Sequence, residues 1–375
     1  MSKLPHVGTT IFSVMSKLAH DTGAINLSQG FPNFPVDPEL IKILKQKADE
    51  DYHQYMPMPG SPALLGVIGN LIEKSYGRTL TVQDELLVTA GATQAIFTAI
   101  MALVKSGDEV IILDPSYDCY EPAILLAGGI PVRVPLKIDF TPDWDLIENH
   151  VSDKTKMLIT NNPHNPSGRT WTETDFEALE SILGRNDQII LLSDEVYEFI
   201  TFDQKHISVN EREALKDRSI ITSSFGKSLH ITGWKMGYVV APAQWMKEIK
   251  KVHQFNVFSV NSIAQASLTT YLERTDVSTL GAFYKEKRDL FRSLIAESKF
   301  ELLPCDGTYF QVVDYRAISS ESDVDFCTTL ATKYGVAAIP ISVFNADGRD
   351  DKKIRFCFAK DDDTLPKAAN KLCKI

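Results

Sequence analysis

Five places in the chain put chemically capable side chains directly behind a short apolar run. Thr89-Ala90-Gly91-Ala92-Thr93 follows Val88, and Asp114-Pro115-Ser116-Tyr117 follows Leu113. Asn161-Asn162-Pro163-His164-Asn165-Pro166-Ser167-Gly168 follows Thr160. Ser193-Asp194-Glu195-Val196-Tyr197 follows Leu192, and Ser223-Ser224-Phe225-Gly226-Lys227 follows Thr222. Gathered at one point, these segments would supply a stacking ring, an amide, a carboxylate, a phenol, an amine and an anion-binding turn. Taken singly, each has a plainer reading. Gly91-Ala92-Thr93 opens an expected helix whose first N–H groups can hold an anion, and it is also an ordinary strand-to-helix turn. Asn165-Pro166-Ser167-Gly168 is by itself a turn sequence. Asp194-Glu195 suits metal ligands, a cofactor partner or a helix cap, and Tyr117 suits a core edge. Arg355 lies between Ile354 and Phe356, where plain strand alternation would send it to solvent.

Gly226-Lys227-Ser228 imitates the tail of the phosphate-binding loop GxxxxGK[ST]. The first glycine of that pattern would fall at Ile221, and the following LHITGWKMG holds two glycines and no clean helix. Both departures argue against a nucleotide-binding loop.

The elements that must position these residues follow from the apolar pattern. Strands are expected at Glu85–Ala90, Val110–Leu113, Ile130–Leu136, Lys156–Thr160, Ile189–Leu192, Ser219–Ser223 and Gly237–Ala241. Helices are expected at Thr93–Val104, Tyr120–Ala127 and Thr174–Leu183. Runs apolar on both faces, alternating with helices, indicate a mostly parallel α/β sheet covered on both sides. In such sheets ligands bind beyond the carboxyl ends of the strands, where the five segments fall. After Trp245 the texture changes. Helices are expected at Trp245–Val252, Ile263–Leu272 and Phe283–Lys299, and strands at Gly307–Val313, Val336–Ile339 and Lys353–Ala359, which is α+β.

The chain of 375 residues has room for two or three domains. With 39 Lys+Arg against 49 Asp+Glu the net charge is −10, which argues against nucleic acid as the main partner. The five cysteines are scattered and odd in number, so neither a disulfide framework nor a metal ribbon is expected, and a reducing cytoplasm fits. There is no signal-peptide pattern and no apolar run near ~20 residues, so no membrane association is expected.

In their order along the chain, these segments resemble the class I, fold type I pyridoxal-phosphate-dependent aminotransferases. Ser224-Phe225-Gly226-Lys227, followed by Gly233-Trp234-Lys235-Met236-Gly237, is similar to that family's lysine motif, and Asn165-Pro166-Ser167-Gly168 and Asp194-Glu195-Val196-Tyr197 match its two preceding motifs. Asn26-Leu27-Ser28-Gln29-Gly30-Phe31-Pro32, Asp118-Cys119-Tyr120-Glu121-Pro122 and Ile354-Arg355-Phe356-Cys357-Phe358 resemble the branch that holds kynurenine aminotransferase, glutamine transaminase K and methionine aminotransferase. Gly8-Thr9-Thr10-Ile11-Phe12 and Phe258-Ser259-Val260-Asn261 lie nearer the bacterial methionine aminotransferases. The resemblance runs from about Lys3 to the C-terminus.

It implies a role for each residue. Lys227 would hold pyridoxal 5′-phosphate covalently and then act as the base, which requires a lowered amine pKa. Asp194 would face the pyridine nitrogen, Tyr197 and Asn165 would donate to the ring oxygen, and Tyr117 would stack on the ring. Ala92 and Thr93 N–H groups, the Ser224 hydroxyl and the Lys235 ammonium would hold the phosphate. Many class I members carry arginine where Lys235 stands, and the kynurenine branch carries lysine. Tyr55 would reach the phosphate of a second subunit, and Phe258 and Ser259 the substrate pocket of that subunit, which makes a homodimer with shared sites. Arg355 would bind the substrate α-carboxylate as a fork, Asn165 and Gly30 would contact the substrate, and Phe12 would line the side-chain pocket. No metal is expected.

The resemblance thus implies an α/β fold with a large cofactor domain at 38–274 around a mostly parallel sheet. A smaller α+β domain would combine 1–37 with 275–375. The implied activity is transfer of the amino group of methionine, or another apolar or aromatic amino acid, to a 2-oxo acid by a ping-pong route. An aromatic pocket without a second arginine argues against aspartate, and a thioether packs well on aromatic rings. A kynurenine/glutamine-type enzyme with cysteine-S-conjugate β-lyase activity is the alternative. A non-catalytic sensing domain is disfavoured because the match begins near Lys3, leaving no room for a preceding DNA-binding domain.

Overall fold

The computed structural model describes residues 2–375. Its centre is a seven-stranded sheet made of β1 (Leu86–Thr89), β2 (Glu109–Asp114), β3 (Ile130–Pro135), β4 (Thr155–Asn161), β5 (Ile190–Asp194), β6 (Ser219–Ser224) and β7 (Gly237–Val240). The spatial order is β1-β7-β6-β5-β4-β2-β3. Only β7 runs against its neighbours; the other pairings are parallel. All seven strands stand within a residue or two of where the apolar runs put them.

Why the strands read as continuously apolar is visible in their packing. Leu86, Val88, Ile111, Leu113, Leu158 and Leu191 point into one apolar cluster, with helices Pro62–Tyr76, Glu173–Gly184 and Ser262–Leu272. Leu87, Val110, Ile112, Met157, Ile159 and Leu192 point into the opposite cluster, with helices Ala92–Leu103, Tyr120–Ala127 and Ala243–Asn256. Alternate residues of one strand therefore fill two cores, each side chain gaining roughly 1.5–3 kcal/mol from burial. This rigid double-sided support holds the strand ends still.

A second sheet is antiparallel and contains β8 (Glu301–Leu302), β9 (Phe310–Asp314), β10 (Ile339–Pro340) and β11 (Lys353–Cys357), in the order β10-β11-β9-β8. It shares a separate apolar cluster with helices Leu280–Leu294 and Thr364–Leu372 and with Met15 and Leu27 of the N-terminal segment.

The departures from expectation have local causes. The expected strand at Val336–Ile339 is split, because Val336–Ala337 pairs in parallel with Ile25–Asn26 while Ile339–Pro340 pairs with β11. The strand expected from Gly307 starts only at Phe310, after Thr308 turns through φ 64°. The long helix expected at Phe283–Lys299 runs Leu280–Leu294. Helices Ile11–Thr22, Pro38–Asp49 and Pro62–Tyr76 add to those expected. Behind Lys227 the chain forms only a four-residue helix, Phe225–Ser228, and not the long helix a nucleotide-binding loop would open.

Candidate active site

The carboxyl ends of β1, β2, β4, β5 and β6 open on one cavity of about 180 Å³. Nine residues singled out in the sequence line it: Ala92, Thr93, Tyr117, Asn165, Asp194, Tyr197, Ser224, Lys227 and Lys235. Eight of them come from five different strand ends and Lys235 from the approach to β7, and they meet because those strands are neighbours in the sheet, or nearly so.

One end of the cavity is an anion cradle. Gly91 caps helix Ala92–Leu103 at φ 80°, with no side chain bonding to the first-turn N–H groups, which are left free. A Cβ on Gly91 would come to 3.2 Å from the Lys235 Nζ, so glycine keeps the amine and the helix start together. Gly237 allows β7 to pass close by, since its Cβ would lie 2.9 Å from the Gly91 carbonyl carbon. The Ser224 hydroxyl donates to Met236 O at 3.0 Å and accepts from Gly226 N–H at 3.1 Å.

At the other end Asp194 is buried, and burial pushes its pKa up to about 6 despite two donors. The Tyr120 hydroxyl donates to Oδ2 at 2.7 Å and Val196 N–H to Oδ1 at 3.2 Å. Asn161 Nδ2 donates to Asp194 O at 3.0 Å, and its Oδ1 accepts from Asn165 N–H at 2.7 Å, so Asn161 ties two strand ends together. The Tyr117 hydroxyl is 3.1 Å from Thr93 Oγ1. Tyr197 is buried with its ring edge-on to Tyr309, and burial raises its phenol well above the usual range.

Lys227 Nζ donates to Gly30 O at 2.9 Å. Desolvation lowers its pKa to about 8, with the Arg355 and Lys235 charges adding to the effect. Arg355, on β11, is 1% exposed, so the plainer reading of a strand residue turned to solvent does not hold. Its Nη1 donates to Asn165 Oδ1 at 2.6 Å and Nη2 to Ser28 O at 3.4 Å, while Nε has no partner. Its guanidinium lies 3.8 Å from the Phe310 ring centroid and 5.4 Å from that of Phe12. Burial lowers its pKa, and among the described residues no Asp or Glu carboxylate lies within 4.0 Å of it.

Tyr55 and Phe258 stay outside this cavity. Tyr55 is 79% exposed, packs edge-on to Phe258 at 5.3 Å, and lines a separate groove with Ser259. Tyr120, Asn161 and Tyr309 belong to the site and were not singled out from the sequence. Tyr120 lies within the motif Asp118-Cys119-Tyr120-Glu121-Pro122 and opens helix Tyr120–Ala127, but that motif assigned it no role.

Residues 22–372 match the model for the aminotransferase class I and II family, and the chain belongs to that family. It is an aminotransferase on that evidence, with the fold type I architecture. The methionine aminotransferase of Escherichia coli K12 is 48% identical over 379 residues, covering 100% of this chain and 98% of that protein. The crystal structure of YbdL from Escherichia coli, identified with a methionine aminotransferase function, superposes with a TM-score of 0.98 at 47% identity, covering 100% of this chain and 99% of that one. The kynurenine–oxoglutarate transaminase of Dictyostelium discoideum is 32% identical, covering 98% of this chain and 94% of that protein.

The family is generally pyridoxal-phosphate-dependent, and the donor set fits that group. Free helix N–H groups beside a lysine suit a phosphate, and a buried carboxylate without a cation suits a protonated ring nitrogen. A desolvated amine between them suits an aldehyde carbon.

Proposed function

We propose that the chain binds pyridoxal 5′-phosphate and moves the amino group of methionine, or of another apolar or aromatic amino acid, to a 2-oxo acid in two half-reactions. The observation that carries this reading is the buried Arg355 guanidinium. It has no acidic partner among the described residues and is bonded to Asn165 at the rim of the cavity that holds Lys227. A buried, unpaired cation is costly, and an α-carboxylate is the partner its fork matches.

In this reading the N–H groups of Ala92 and Thr93, with Ser224 and Lys235, hold the phosphate. Asp194, kept in place by Tyr120 and Val196, holds the charge opposite the ring nitrogen; Asn165 and Tyr197 orient the ring, and Tyr117 covers its face. Bound pyridoxal phosphate supplies the electron sink for the pair left at substrate Cα. Lys227, whose pKa burial lowers to about 8, is the amine that takes the proton from that carbon. Arg355 fixes the carboxylate, so the Cα–H bond is presented to the amine. No arginine lines the cavity to receive a second carboxylate, which favours an apolar donor over aspartate. Phe12 and Tyr117, with Phe258 supplied by a second copy of the chain, would make the side-chain walls, and a thioether suits them. Likeness to a kynurenine–oxoglutarate transaminase supports the second reading, a kynurenine/glutamine-type donor range with C–S β-lyase activity.

The reading extends to a cytoplasmic homodimer with a cofactor domain at 38–274 and a smaller domain at 1–37 and 275–375. Support for the dimer is the exposed aromatic group Tyr55, Phe255 and Phe258, at 79%, 86% and 45% exposure. The test is spectroscopic. Protein given pyridoxal phosphate is expected to gain a visible absorption band that methionine abolishes and a 2-oxo acid restores. Absence of the band, or an identical spectrum from Lys227→Ala, would refute the assignment. A series of methionine, phenylalanine, kynurenine, glutamine and aspartate then ranks the donors.

A further inference from the structure

The segment Ser28-Gln29-Gly30-Phe31 runs along the mouth of the cavity, and its four consecutive carbonyls all accept from buried or half-buried side chains. Arg355 Nη2 donates to Ser28 O at 3.4 Å, and Lys227 Nζ and the Tyr309 hydroxyl donate to Gly30 O at 2.9 and 2.8 Å. The remaining two carbonyls belong to Lys360, whose Nζ donates to Phe31 O at 2.9 Å and lies 3.5 Å from Gln29 O. Lys360 is 3% exposed, has no carboxylate within 4.0 Å among the described residues, and sits 5.6 Å from the Phe31 ring centroid. A lysine ammonium is normally left in water, so a buried one spent only on backbone carbonyls needs a reason.

The three cations differ in one respect. Lys227 and Arg355 are the groups that the proposed chemistry takes away, the first to the cofactor and the second to the substrate carboxylate. When both are engaged, Tyr309 and Lys360 are the side-chain donors left to the four carbonyls, beside the bonds that Ser28 N–H and Gln29 N–H donate to Asn26 Oδ1 at 3.0 and 3.2 Å. Lys360 is also on the right element. It lies five residues beyond Arg355, where the chain leaving β11 is zipped to the same segment: Cys357 N–H donates to Leu27 O at 2.8 Å, Asn33 N–H to Ala359 O at 3.3 Å and Asp361 N–H to Asn33 Oδ1 at 2.7 Å.

We propose that Lys360 is a positioning residue that holds residues 28–31 over the site while Lys227 and Arg355 are occupied, and so sets the affinity for the amino-acid substrate. Lys360 touches neither cofactor nor substrate. It keeps Gly30 against the bound ligand and keeps water out of the mouth after the two other cations have let go. This rests on the transaminase reading above.

Wild-type protein, Lys360→Met and Lys360→Arg are compared in three measurements. In the holoenzymes saturated with methionine, amide hydrogen exchange of residues 28–33 is expected to rise at least about tenfold in Lys360→Met and to stay near wild type in Lys360→Arg, with a smaller rise in cofactor-free Lys360→Met, where Lys227 and Arg355 still hold the segment. In the holoenzymes, KM for methionine is expected to rise about tenfold or more in Lys360→Met, with kcat within about threefold, because ground-state and transition-state binding are lost together. Pyridoxal-phosphate affinity, read by titration of its absorption, is expected to stay within about threefold. Unchanged exchange with unchanged KM overturns the proposal, as does a fall in kcat or in cofactor affinity without a change in KM. If neither variant folds, Lys360 is a stability residue and the proposal is wrong. If the wild type fails to bind pyridoxal phosphate, the transaminase reading falls, and the exchange comparison still decides whether Lys360 anchors the segment.

Discussion

Lys227, Asp194, Ser224 and the Gly91 turn stand at the ends of neighbouring strands of one sheet, each a few residues from the strand that carries it. Arg355, Gly30 and Phe12 reach the same place from a second sheet and from the N-terminal segment, through contacts that join residues as far apart in sequence as Phe12 and Arg355. The first group is held by sheet geometry packed on both faces. The second stands on a smaller sheet with its own apolar cluster and meets the first through a few hydrogen bonds and ring contacts: Arg355 to Asn165 and Ser28, Phe12 to Phe344 at 5.7 Å, Lys360 to the carbonyls of Gln29 and Phe31. The contrast matches the division of labour proposed above. A cofactor that stays bound can use a rigid cradle, whereas a substrate that enters and leaves needs a wall that can let go.

On that contrast, changes on the cradle side should affect chemistry and cofactor retention, and changes on the side of Arg355, Gly30 and Phe12 should fall on substrate affinity. The largest effect is expected for Lys227→Ala, which removes both the attachment point and the base. Turnover of methionine should fall at least about 10³-fold, checked by single-turnover absorbance. Next comes Arg355→Leu. Losing one partner of a buried ion pair costs about 3–5 kcal/mol, so kcat/KM should drop by about two to three and a half orders of magnitude while the cofactor stays bound. Loss of cofactor by Arg355→Leu would erase the distinction between the two sides.

Tyr120→Phe tests the cradle more gently. It deletes one hydrogen bond to a buried carboxylate, about 1.5–3 kcal/mol, so pyridoxal-phosphate affinity should weaken about tenfold by titration. The lost bond had favoured the ionised form, so the Asp194 pKa rises further and the acid limb of the pH–rate profile moves to higher pH. The wild-type protein makes a prediction of similar size. Only the neutral Lys227 amine attacks the cofactor aldehyde, and burial places its pKa at about 8. The free-amine fraction, and with it the rate of cofactor association, should therefore climb about tenfold from pH 7 to pH 9 and level off above. A flat stopped-flow profile would mean that the amine is not desolvated. The smallest effect is expected at Cys373, an exposed free thiol far from either group. Cys373→Ser should change stability by no more than about 0.5 kcal/mol in thermal unfolding.

Much of the cradle was legible in the amino-acid order because its parts are local. A strand, a turn and a helix start, as at Val88 to Thr93, carry their own signals, and Asp194, Lys227 and Ser224 each follow an apolar run directly. Tyr120 and Asn161 were harder to see, since their roles are bonds to Asp194 and to Asn165 that exist only once β4 and β5 lie side by side.

By itself the sequence determined the seven apolar runs, their alternation with helices, the anion-binding turn and the motifs that mark the family, because periodicity and turn chemistry act over a few residues. Only the tertiary structure decided the order of strands in the sheet, the splitting of Val336–Ile339 between two partners, and the burial of Arg355, which alternation alone would have turned to solvent. It also decided that Lys360 spends its charge on two backbone carbonyls. The physical reason is the same throughout. Each of these depends on which distant segment fills the space opposite, and that is settled by packing across hundreds of residues and not by the neighbours in the chain.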